Sequence, residues 1–92
     1  MPRPYSFVTL TRYQQDTHTL DAARRALLRA ALAVLRVSPT DALGVFQVYL
    51  DRSSGWTEYV LVFPLERGEL LYEIEEAERV IVLRHVAWGR PG

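Results

Sequence analysis

The sequence predicts an α+β domain with one or two N-terminal helices packed on a mostly antiparallel sheet of four to five strands. Three observations carry this. One long run, AARRALLRAALAVLRV, consists almost entirely of strong helix formers. After it come four β-rich runs separated by short polar turns, and short connections favour antiparallel neighbours. A further β-rich run, YSFVTL, precedes the helix.

Ninety-two residues suffice for a single domain spanning 1–92, and 49% of them are apolar, enough for one packed core. The expected elements are a strand over 5–10, a helix over 20–37, and strands over 45–51, 56–64, 69–75 and 79–86. Residues 11–19 are polar and read as a loop with at most a helical turn. Asp21 is the expected helix N-cap, with Thr19 as the alternative. Ser38-Pro39 ends the helix, because the residue before proline is pushed out of the helical region.

At 100° per residue, Leu20, Leu27, Ala31, Val34 and Leu35 share one side of the helix, widened by Leu28 and Leu32. Arg25, Arg29 and Arg36 form a stripe opposite, and Ala22, Ala26, Ala30 and Ala33 make a third, small-residue face. Arg24 lies nearer the leucines and is expected to snorkel or to pair with an acid. Arg52-Ser53-Ser54-Gly55 reads as the turn of the first hairpin. In the run after Gly68, Leu70, Tyr72 and Ile74 alternate with Leu71, Glu73 and Glu75, which puts the first three on the covered face. Runs 56–64 and 79–86 are apolar on both faces over several residues and are expected to lie centrally or to have a face covered by a partner. Pro64 must sit where no ladder bond is needed.

Composition narrows the chemistry. There is no cysteine, so disulfides and thiolate metal sites are excluded. Only His18 and His85 are available as imidazoles, without the HxH or HExxH spacing of a metal site, so neither metal nor cofactor is expected. No glycine-rich phosphate loop and no Gly-x-Ser-x-Gly elbow occurs. No run approaches the length of a membrane span, and MPRPYSF lacks a secretory apolar segment, so a cytoplasmic location without membrane contact is expected. Every basic residue is arginine, yet net charge is zero, which disfavours a strongly electropositive nucleic-acid binder.

What remains is a set of Arg, His and Tyr side chains around the sheet. Arg84 and His85 are adjacent on the last strand and, in regular pleating, point to opposite faces. Metal-free cleavage of an RNA phosphodiester needs a proton acceptor, a proton donor and cations around the phosphate. Arg84, His85 and Arg52 are the catalytic candidates, with Arg90, Arg12 and Tyr72 as substrate-binding candidates. The competing assignment pairs Arg84 with a strand glutamate, Glu73 or Glu58, and makes His85 a hydrogen-bonded sheet residue.

GELLYEI (residues 68–74) and VIVLRHVAWGR (residues 80–90) resemble the third and last strands of the RelE/ParE superfamily of bacterial toxins, and a helix stopping before Ser38-Pro39 is also similar. The departures are specific. Glu69 stands where the family usually has arginine, Ala87 stands where a tail histidine is common, and the RNA-gripping lysines are missing. The resemblance implies a toxin neutralised by a cognate antitoxin. RelE-like members are endoribonucleases that cut mRNA on the ribosome, and ParE-like members inhibit DNA gyrase without catalysis. A degenerate member that only forms complexes, homodimers included, is the third alternative. The endoribonuclease is the leading expectation, and on it Arg52 and Arg84 hold the phosphate, Arg90 assists and His85 transfers protons.

Overall fold

The computed structural model describes residues 3–51 and 56–89. The chain runs β1 (Ser6–Thr9), α1 (Thr11–His18), α2 (Ala22–Leu35), β2 (Val45–Asp51), β3 (Trp56–Phe63), β4 (Gly68–Glu75) and β5 (Val80–Trp88). The five strands form one sheet in the order β1-β5-β4-β3-β2. The three pairings from β2 to β5 are antiparallel, and β1 alone joins parallel, alongside the first half of β5. β3 and β5 are both internal, as their two-sided apolar runs require.

Helix α2 begins where Asp21 accepts the Arg24 amide at 2.8 Å, satisfying one of the amides that a first turn leaves without a partner. It buries Leu28 and Leu35 in one core with Leu70, Tyr72 and Ile74 of β4 and Leu83 and Val86 of β5. Val34, grouped with the core side by periodicity, is half exposed instead. Arg24 lies 5.4 Å from the centre of the Trp88 ring, with its guanidinium over the ring face, and stays within 4.0 Å of Asp21. Pro64 falls in the turn after β3, outside the ladder.

Residues 11–19 are the main departure from expectation, because Thr11–His18 is a full helix. Its propensities are middling, and tertiary packing decides the outcome. Tyr13 is buried in the core and Asp16 is anchored on β5, so folding the segment as a helix seats both.

Two glycines have steric roles. Gly44 has φ +87°, a backbone that side-chain-bearing residues rarely adopt, and its carbonyl accepts the Val62 amide. A Cβ on Gly68 would lie 2.4 Å from the Trp88 ring, which stacks at 5.3 Å on Phe63. Only glycine lets Trp88 lie across the end of β4.

Burial raises the Tyr13 hydroxyl to about 12 from an ordinary 10.0, and raises Tyr72 as well. Between about pH 10 and about pH 12 the unfolded chain gives up tyrosine protons that the native chain keeps. Stability is therefore full below about pH 10 and falls as pH rises through that window. Denaturant midpoints measured across it should drop steadily, and Tyr13→Phe should flatten the drop. A midpoint indifferent to alkali would show that these phenols are not buried.

Candidate functional site

The site is built on an irregularity in β5. Leu83 and Val86 both lie in the core, 1% and 3% exposed, although they are three residues apart. Regular pleating puts every second residue on one face, so an odd spacing between two core residues requires an extra residue. The register supplies it: Leu71 opposes His85 and Tyr72 opposes Leu83, so the Cα register skips Arg84. Neither side chain is buried in the core, and the two diverge: Arg84 meets carboxylates of β3 and β4, and His85 meets Asp16 of α1.

Arg84 reaches across the open face of the sheet. Its Nη1 lies 2.5 Å from Glu58 Oε1 on β3 and 2.9 Å from Glu73 Oε1 on β4. Glu58 and Glu73 are direct cross-strand partners. Like charges placed opposite one another destabilise a sheet, and the guanidinium between them relieves the repulsion. The two carboxylates are 18% and 14% exposed and the arginine 37%.

His85 turns toward the strand edge. Its Nδ1 is 2.5 Å from Asp16 Oδ2, and the same oxygen accepts the Val86 amide at 3.1 Å. A carboxylate only accepts, so Nδ1 carries the proton and donates. β1 pairs with β5 only as far as Thr9 opposite Leu83, and Asp16 takes over beyond that point. One side chain thus satisfies an edge amide and orients an imidazole. Asp16 was not among the residues picked from the sequence. A contact spanning 69 residues leaves no local pattern, and the only hint was an acid in a stretch read as loop.

The other candidates do not join this cluster. Tyr72 has no exposure and donates to the Pro39 carbonyl at 2.5 Å, so it is a core residue and not a substrate contact. Arg12 is exposed in the first turn of α1 and makes no ion pair among the described residues. Arg52, with the turn it was assigned to, and Arg90 lie outside the described residues. Among the described residues no group of three His, Asp or Glu is placed to hold a metal ion, and no helix is long and apolar enough to cross a membrane.

A second surface is apolar. A groove of about 310 Å³ runs between α2 and β3, lined by Leu27, Ala31, Val34, Ala42, Leu43 and Phe63. Leu43 is 99% exposed, and Phe46 and Val48 on the edge strand β2 are 59% and 54% exposed.

The whole architecture matches known structures. RelE in the archaeal RelE–RelB complex of Pyrococcus horikoshii aligns over 96% of this chain and 99% of its own, with a TM-score of 0.79 and 14% identity. The toxin–antitoxin complex RelBE2 of Mycobacterium tuberculosis aligns over 94% and 99%, with a TM-score of 0.69 and 21% identity. The intact RelBE complex of Escherichia coli gives 0.55 and 16% identity over 95% and 99%. This chain has the RelE fold. No protein-family model matches its sequence, and no curated protein matches it. The fold is therefore shared here at a sequence identity of 14–21%.

Replacing Arg84 with alanine leaves Glu58 and Glu73 face to face. Breaking a fully buried pair costs about 3–5 kcal/mol, but an arginine this exposed is partly screened, so a loss of about 1–2 kcal/mol is expected. Chemical denaturation should show it, and adding Glu73→Gln should recover most of it. Equal stability of wild type and Arg84→Ala would mean the triad has no role in the fold.

Proposed function

We propose that this chain is the toxin of a toxin–antitoxin pair and that it acts by binding a protein target. The observation carrying the first half is the full-length likeness to RelE toxins held in complexes with RelB antitoxins. The cognate antitoxin is then a protein partner, and the exposed apolar groove beside α2 with the bare apolar edge of β2 offers it surface. Exposed apolar patches of this kind mark protein interaction sites, and antitoxin-like segments dock by lying in a groove or adding a strand.

The second half rests on what surrounds Arg84. A nuclease needs cations available to phosphate, and here the last-strand arginine is held by two carboxylates. Glu69 in place of arginine, the absence of lysine and zero net charge point the same way. A non-catalytic mode, of which inhibition of DNA gyrase is the expected example, fits these residues better than mRNA cleavage. One observation favours the endoribonuclease reading: His85, with Nδ1 fixed by Asp16, is an imidazole oriented for proton transfer at Nε2.

Induced expression should arrest bacterial growth while mRNA stays intact, and co-expression of the antitoxin encoded beside the gene should restore growth. Purified protein should inhibit gyrase supercoiling at micromolar concentration. Translation-dependent mRNA cleavage that disappears in His85→Ala would decide for the endoribonuclease. Growth unaffected by the chain alone would remove the toxin assignment altogether.

A further inference from the structure

We infer that Glu58 and Glu73 are specificity residues that occupy Arg84 as resident carboxylate ligands and so keep nucleic-acid phosphate off the open face of the sheet. The argument starts from hydrogens. Nη1 of an arginine carries two, and it has two carboxylate oxygens against it, at 2.5 Å and 2.9 Å. An arginine grips phosphate best through two parallel N–H bonds from its planar fork. With Nη1 donating to Glu58 and ion-paired to Glu73, any fork that uses Nη1 must displace a resident carboxylate.

Electrostatics act in the same direction. A phosphate approaching Arg84 would come up beside two carboxylates that are themselves mostly shielded from water. In such a setting like charges a few ångströms apart repel strongly. The strand register makes this arrangement rigid. Glu58 and Glu73 are held opposite each other by β3–β4 pairing, and the β5 bulge fixes Arg84 beside them. The carboxylates do not have to move to exclude phosphate, because they already hold the position it would take.

On this sheet the two glutamates thus hold Arg84 as part of the scaffold. The ligand excluded is any phosphodiester strand, whatever protein partner the chain engages.

The test is binding of a short fluorescein-labelled single-stranded RNA, followed by anisotropy over a series of salt concentrations. Wild type should bind weakly. Glu58→Gln/Glu73→Gln, isosteric at both positions, should bind about tenfold tighter at low salt, with the log–log salt slope steeper by about 0.7 for one phosphate gained. Adding Arg84→Ala to the double variant should abolish the gain. No gain in the double variant, or a gain that survives Arg84→Ala, would overturn the inference, the second because it would report only the change in net charge. Melting by circular dichroism confirms folding of each variant, and Glu73→Gln alone is read by the same criteria if the double variant unfolds. Growth arrest and antitoxin rescue are scored separately, so the toxin assignment can fail without touching this result.

Discussion

A strand cannot keep Leu83 and Val86 on one face without breaking its alternation between them, and most of what distinguishes this molecule follows from that break. β5 is paired on both sides, parallel to β1 and antiparallel to β4. The core demands both aliphatics, since each is nearly inaccessible to water. The register with β4 skips the extra residue and the local twist increases, which is how bulges re-aim side chains. Arg84 is carried toward β4 and β3, and His85 toward the edge. The end of β1 opposite Leu83 coincides with this point, so the edge amide of Val86 would be exposed if α1 did not deliver Asp16. The strand irregularity, the first helix and the two polar clusters are one coupled arrangement.

The arginines show how this chain uses cations. Arg79 donates to the Arg3 carbonyl and lies 4.2 Å from the centre of the Tyr5 ring, tying the start of β1 to the β4–β5 turn. Tyr5 completes that corner by donating to Glu76. Arg25 reaches the Leu20 carbonyl, and Arg24 covers Trp88. These are uses in which a planar, weakly hydrated cation stacks or bridges backbone better than lysine does. An arginine-only inventory is therefore explained by structural roles at several positions, and it does not by itself describe a phosphate-binding surface.

How much of this could be read from the sequence depended on whether the cause was local. Asp21 announces α2 because capping is a contact across three residues. Leu70, Tyr72 and Ile74 announce their own burial because strand alternation is a two-residue rule. The internal positions of β3 and β5 follow from apolar residues on both of their faces. The helix over Thr11–His18 was missed because its stability comes from Tyr13 and Asp16 meeting partners elsewhere in the chain. The bulge was missed because nothing in VLRHV marks which residue is extra until the register with β4 is known. Arg84 and His85 were singled out from the sequence, but their partners, and Asp16 altogether, depended on contacts 26 and about 70 residues away.

The separation between fold and site has a physical reason. The fold is set by where apolar residues fall along five strands and two helices, and many sequences satisfy that pattern, so likeness of architecture survives at 14% identity. A site is set by particular side chains at particular distances, and one substitution inverts it. Here the charge of the site turns on a single cross-strand pair, Glu58 and Glu73. With neutral residues at 58 and 73, the bulge would present Arg84 to the solvent face as an anion-binding group. Glutamates at those positions turn the same bulge into an ion-paired patch of a sheet whose other prominent surface features are apolar. The RelE fold supplies the platform, and the residues opposite Arg84 set the charge that this part of the platform presents.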